Sequence, residues 1–282
     1  MKTKTLIPFL AISFGLTWGL AAVIILFADP VVAIFGELGL SNPLVMLAIY
    51  APAFAGIFLT WRHYGLKGLA SFFQRLTLWR APRAWWLFML LGIPAIVFTG
   101  AAIKGTVTEL PYSSLALALP ALVHALFLGS IEEFGWRGVA LPLLQRKFSP
   151  FWAGLLLGVF WALWHIPSFL IGGMPQEAWS VWPYFLGILS ISIILTPLFN
   201  ASRGSLLIAY IFHFQMMNPI FPDAQPWDNI LWIAMAVIIV WLNRKTMFQR
   251  GYGVTEVLMP ERSDNSASEV GEMSPNPVTS IS

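Results

Sequence analysis

The chain has 282 residues, 58% of them hydrophobic and 10% charged, with 14 Trp and 22 Phe. Soluble domains carry about 25% charged residues, so the composition excludes a water-soluble globular protein, and the lack of alternating strand patterns argues against a β-barrel. With no cysteine there are no disulfides, Cys-zinc sites or thiol nucleophiles, and a net charge of +3 is no signature of nucleic-acid binding.

In chain order, two lysines precede an apolar run at 6–28, too long for a signal-peptide core and without a small-residue cleavage site. Asp29-Pro30 ends this first helix. Further apolar spans follow at 43–61 and at 84–103, where Trp85 and Trp86 suit an interfacial anchor. A fourth span opens at Ser113, and others cover 150–165, 179–199, 205–220 and 227–242. Each is near the roughly 20 residues that cross a hydrocarbon core. The fold class expected is all-α: a polytopic transmembrane helical bundle of about eight helices.

Between spans two and three, residues 66–80 place Leu69, Phe72, Phe73 and Leu76 on one helical face, with Lys67, Gln74 and Arg75 elsewhere. This pattern suits a helix lying on the membrane surface or a connector packed on the bundle. The organisation expected is residues 1–105 as helices one to three with that connector, 106–245 as the catalytic core of helices four to eight, and 246–282 as a cytosolic, largely disordered tail. Residues 261–282, rich in Ser, Pro, Asn and Glu, carry the disorder signal.

Charge sets the orientation. Of the 16 basic residues, 14 fall in the terminal segments and in alternate loops, Lys104 falls in the opposite loops, and Arg137 lies within the fourth span. The opposite loops instead carry Asp29, Glu37, Glu109, Glu177, Asp223 and Asp228. Basic residues stay in the cytosol, so both termini are expected there.

The polar residues within this apolar frame centre on Gly129-Ser-Ile-Glu-Glu-Phe-Gly-Trp-Arg137. Successive helical residues turn about 100°, so Glu132 and Glu133 point apart. Glu133 and Arg137 have the i,i+4 spacing that lets a carboxylate meet a guanidinium. Glu132 has no such local partner. The bland reading is a polar corner in water. The other reading is a site within the membrane, where ionisable groups are costly to hold. Depth favours the second. At about 1.5 Å per residue, Glu132 lies at most roughly 21 Å from Arg146, His165 roughly 22 Å from Pro150, and His213 roughly 15 Å from Arg203. Pro142 is positioned to break the first of these helices. One carboxylate and two imidazoles at similar depth form the equipment for activating water: the carboxylate takes a proton, and the imidazoles orient the water, bind a metal or stabilise an oxyanion. The helical zinc signature His-Glu-x-x-His is absent. His63 reads as solvated, and His124 as a structural hydrogen-bonding residue.

Glu132-Glu133-x-x-x-Arg137, an aromatic-x-x-x-His on the next helix and a later His resemble the CAAX protease and bacteriocin-processing family of intramembrane endopeptidases. The resemblance covers roughly residues 110–220. It implies Glu132 as the water-activating base with His165, Glu133 and Arg137 as supporting residues, and His213 stabilising the oxyanion with a nearby Asn. It also implies a membrane-associated peptide or protein substrate, a lipid environment and an integral protein of a prokaryotic plasma membrane. Two positions depart from the family pattern. Trp161 stands where Phe is usual, and Met217 stands where Asn is usual, with Asn218 one step of 100° further on.

Glu132, His165, His213 and a water would complete an open zinc site. Metal ligands normally come with groups orienting each His. Glu133 is the one nearby carboxylate, and its spacing offers it to Arg137. The sequence therefore favours metal-free water activation over a divalent metal. Two other functions fit the same residues: a catalytically idle scaffold or immunity factor, and a proton-coupled transporter. Reporter fusions after Arg80, Lys147 and Arg250 should all report cytosol; a signal from the opposite side at any of them would overturn the eight-helix reading.

Overall fold

A computed structural model describes residues 1–260; the segment read as disordered, 261–282, lies outside them. Every regular element among the described residues is helical. They are α1 (Leu6–Leu26), α2 (Ala28–Phe35), α3 (Pro43–Ile49), α4 (Ala51–Gln74), α5 (Arg83–Leu87), α6 (Ile93–Lys104), α7 (Leu115–Phe127), α8 (Glu133–Gly135), α9 (Leu141–Gln145), α10 (Pro150–Trp164), α11 (Val181–Ala201), α12 (Leu206–Met216), α13 (Trp227–Leu242) and α14 (Arg244–Met247), with short 3-10 and π-helical turns between them.

Five continuous helical stretches are long and apolar enough to cross a membrane: Thr3–Leu26, Arg83–Lys104, Leu115–Gln145, Pro150–Phe169 and Val181–Ala201. The expected second span is bent by 53° between α3 and α4. The expected seventh and eighth are shorter, at α12 and α13. Outward-facing side chains agree with lipid as the solvent: Leu115 is 72% exposed and Val237 65%, a density of bare aliphatic surface that water does not tolerate. The chain is an integral membrane protein.

Prolines shape two of the long helices. A π-helical turn, Phe88–Gly92, precedes Pro94, and another, Trp136–Ala140, precedes Pro142. Proline has no N–H for the carbonyl four residues back, and its ring crowds that carbonyl, so the backbone widens there. For Pro142 the carbonyl left over is that of Gly138. Arg75 donates to it through Nη1 at 2.9 Å, and also to the carbonyls of Gly204 (2.8 Å) and Val257 (2.8 Å). Its guanidinium lies between the rings of Phe72 and Phe199. Arg75 is therefore fully buried, not a polar-face residue of a surface helix. Gly65, at φ 64°, breaks α4 and turns residues 66–77 onto the bundle, where Phe72 enters the core.

Close helix packing relies on small residues, as it does in lipid generally. A Cβ on Gly154 of α10 would lie 2.4 Å from Thr196 Oγ1 of α11, and Ser192 Oγ donates to the Gly154 carbonyl at 2.9 Å. Both ends of the described chain meet on one face. Arg146 donates to the carbonyls of Met1 (2.6 Å) and Thr255 (2.9 Å), and Gln145 reaches Val254 (2.9 Å). The first part of the tail, 252–259, is thus docked on the bundle, with Val257 buried.

Arg75→Met would leave three buried carbonyls without their donor. Each unmet group costs about 1–3 kcal/mol. Unfolding in detergent should show a loss on the order of 3 kcal/mol or more, whereas a surface arginine would give almost none.

Candidate active site

The site begins with a break. α7 ends at Phe127, and Leu128 departs from helical geometry at φ −85°, ψ −87°. A 3-10 turn, Ser130–Glu132, follows, then α8. A broken helix frees carbonyls at its end. Tyr50 donates its hydroxyl to Phe127 O at 2.6 Å, and Tyr210 donates to Leu126 O. Beyond the break the chain turns inward. Gly135 lies so close to α4 that a Cβ there would sit 2.2 Å from the Pro52 carbonyl oxygen. Glu132, Glu133 and Arg137 all end up buried.

The two carboxylates have different surroundings. Glu133 Oε1 accepts from Arg137 Nη1 at 3.0 Å and from His213 Nδ1 at 2.7 Å. The expected i,i+4 pair forms, at zero exposure on both sides, and His213 joins it. This arrangement leaves His213 Nε2 uncommitted, beside Gly129, where an added Cβ would be 3.4 Å away. The same Cβ would be 2.3 Å from Met217 Sδ, so the glycine lets the Met217 side chain pack there beside the imidazole.

Glu132 Oε2 accepts from the indole N–H of Trp161 at 2.9 Å. His165 Nδ1 donates to the Trp161 carbonyl at 2.8 Å. A carbonyl can only accept, so Nδ1 carries the proton and Nε2 keeps its lone pair. The Arg137 guanidinium lies 4.5 Å from the centre of the Trp161 ring, and that ring touches both His165 and His213. Glu132, His165 and His213 line one cavity, whose walls include Val45, Ile171, Met174 and Ile188. The three residues placed at similar depth from sequence are brought together.

Asn218 is not. Its side chain accepts from Ile220 N (3.3 Å) and donates to Gln215 (3.3 Å) within the turn after α12. Met217 lines the cavity instead, against Gly129. α12 ends at Met216, and Met217 has left helical geometry, so Asn218 lies in the turn beyond it. His124 Nε2 is buried with no hydrogen-bond partner among the described residues, so the structural bond expected of it is not formed there. His63 is exposed and bonds its own helix through Leu59 O.

The metal question turns on donors and on what orients them. Both imidazoles do have orienting partners, Glu133 for His213 and the Trp161 carbonyl for His165. This corrects the expectation that no such shell exists, because Glu133 serves Arg137 and His213 at once. Yet among the described residues no three His, Asp or Glu side chains converge as a metal-holding group. As placed, the residues do not fit a three-ligand zinc, and no step below runs through one.

The fold and site define a polytopic helical membrane protein with a buried Glu/His centre at a broken helix. Residues 113–217 match the family model described as Type II CAAX prenyl endopeptidase Rce1-like. Over 143 residues, 47% of this chain, the sequence is 32% identical to CAAX prenyl protease 2 of Methanococcus maripaludis, with 53% of that protein covered. The chain thus spans about half the length of the curated relative it matches. The matched region, residues 113–217, contains Glu132, His165 and His213 and is similar to that endopeptidase family.

Truncating one partner of a buried ion pair strands the other, at roughly 3–5 kcal/mol. Arg137→Met should therefore destabilise the protein by about that amount. Adding Glu133→Gln should recover part of the loss, since the stranded charge is gone. Additive losses in detergent unfolding would show that the pair is not coupled.

Proposed function

We propose that this protein is an intramembrane endopeptidase in which Glu132 activates water. The observation that carries this reading is the division of labour between the two glutamates. Glu133 Oε1 is shared by Arg137 and His213, whereas Glu132 lines the cavity with one oxygen held by Trp161. The other Glu132 oxygen has no hydrogen-bond partner and is not sealed among the buried unpartnered atoms.

In this reading the water lies between Glu132 Oε1 and the lone pair of His165 Nε2. Glu132 takes a proton from it, and the oxygen adds to the scissile carbonyl carbon. The carbonyl oxygen gains the negative charge and receives a hydrogen bond from His213 Nε2–H. The Glu133 carboxylate accepts from Nδ1 of the same ring and holds it in place. As the tetrahedral intermediate collapses, Glu132 passes its proton to the leaving amine. Atoms and charge balance without a further reactant. Asn218, hydrogen-bonded elsewhere, takes no part. Its position is the feature that favours the idle-scaffold alternative, and the same assay decides.

The substrate class follows the relative's name and the cavity's apolar walls: a peptide carrying a prenylated cysteine near its C-terminus. With the termini facing the cytosol, as the basic residues favour, the site would receive cytosolic chain ends at the membrane.

A farnesylated peptide ending in the Cys-aliphatic-aliphatic-X pattern, with purified protein in detergent or liposomes, provides the test. Wild type should cleave it after the modified cysteine. Glu132→Gln and His165→Ala should each lose at least about a hundredfold in rate. His213→Ala should lower kcat with KM little changed, as expected of a group acting in the transition state. Wild-type rates in both Glu132→Gln and His165→Ala would overturn the reading.

A further inference from the structure

We infer that Trp161 is a positioning residue of the hydrolytic site, its indole N–H holding one oxygen of Glu132 so that the other is presented to water. The inference rests on the proposed hydrolytic role of Glu132.

A carboxylate on a side chain with three rotatable bonds must be held still to act as a base at a defined point, because misplacement by an ångström is costly. Glu132 follows a helix break, and its 3-10 turn gives its side chain no intrahelical partner. Among the described residues, the hydrogen bond that fixes it is the one from Trp161 Nε1, at 2.9 Å. Arg137, the nearest cation on the same segment, donates to Glu133.

Trp161 is itself rigidly set. It is 1% exposed, and the guanidinium of Arg137 lies over its face at 4.5 Å. It stands one turn before His165 on α10, and its carbonyl receives His165 Nδ1–H. One residue therefore orients both groups assigned to the water: Glu132 through its side chain and His165 through its backbone. Phenylalanine would keep the backbone carbonyl, but it is smaller than the indole and has no N–H. The indole nitrogen is thus the separable part of the device, and the sequence motif, read as aromatic-x-x-x-His, does not distinguish it.

Two measurements test this. The first replaces Trp161 by benzothienylalanine, which exchanges the indole N–H for sulfur in nearly the same shape, and by 5-fluorotryptophan, which keeps the N–H. Loss of one hydrogen bond to a charged group should lower kcat on the farnesylated peptide by about tenfold or more, with KM within about twofold and a fall in unfolding temperature from the unmet Glu132 oxygen. The fluorinated residue should restore the rate. An unchanged kcat, or a change confined to KM, would overturn the inference.

The second needs no activity. In protein labelled with 15N-tryptophan, the Trp161 indole resonance, assigned by its loss in Trp161→Phe, should move upfield in Glu132→Ala while the other 13 indoles stay in place. No movement would refute the hydrogen bond. A wild type that cleaves nothing but shows the shift would refute the hydrolytic reading, and the positioning role with it, while the contact itself stands. Cleavage without the shift would refute the positioning role alone.

Discussion

A carboxylate with no exposure, inside a bundle whose outer face meets lipid, persists only if it is neutralised where it lies. Glu133 is that group, and its pairing with Arg137 and His213 is the constraint on which the centre depends. Arg137 comes from the same segment, one helical turn away. His213 comes from α12, so satisfying Glu133 draws α12 against the segment beyond the helix break. The same contact uses His213 Nδ1 and leaves Nε2 free next to Gly129. Neutralising Glu133 in this way leaves its neighbour Glu132 to line the cavity. The cluster is not a stabilising ornament: a buried ion pair often contributes little relative to apolar residues of the same shape. Its value lies in fixing orientation.

A second requirement comes from proline. Pro142 removes the N–H that would have met the Gly138 carbonyl, one residue after Arg137. The orphan carbonyl is met by Arg75, which arrives from the far side of the Gly65 break together with the docked tail at Val257. The connector and the tail, remote in sequence, are therefore tied to the segment bearing the two glutamates. The hydroxyls of Tyr50 and Tyr210 do the same for the carbonyls at the end of α7. The carbonyls of Leu126, Phe127 and Gly138 are thus each met by a side chain reaching in from elsewhere in the bundle, as buried backbone demands.

Much of this was legible in the sequence. Apolar length marked where the helices lie, and 227–242 was read to the residue. The i,i+4 spacing announced Glu133–Arg137, and depth counted along three helices brought Glu132, His165 and His213 to one level. What escaped is what depends on contacts between helices. Arg75 read as a polar-face cation because periodicity reports which side of a helix is apolar, not which carbonyls elsewhere lack donors. Trp161 registers in the sequence only as an aromatic standing where Phe is usual, because the motif does not show that Glu132 lies opposite its N–H. The bond from His213 to Glu133 joins residues 80 apart, and no local spacing encodes it. Asn218 lies beyond the end of α12, where its side chain bonds Gln215 and Ile220, and the sequence did not show where that helix stops.

The central claim is that Glu132 acts on water and does not itself attack the peptide. A single turnover in 18O-labelled water, with enzyme in excess over the farnesylated peptide, tests for a Glu132 anhydride that water opens at the glutamate's own carbonyl. The account expects one 18O in the new carboxyl terminus of the product after the first turnover, and none in the peptide fragment of the enzyme that contains Glu132. Label in the Glu132 carboxylate, with an unlabelled product, would show that the glutamate had formed a covalent anhydride, and would contradict the account.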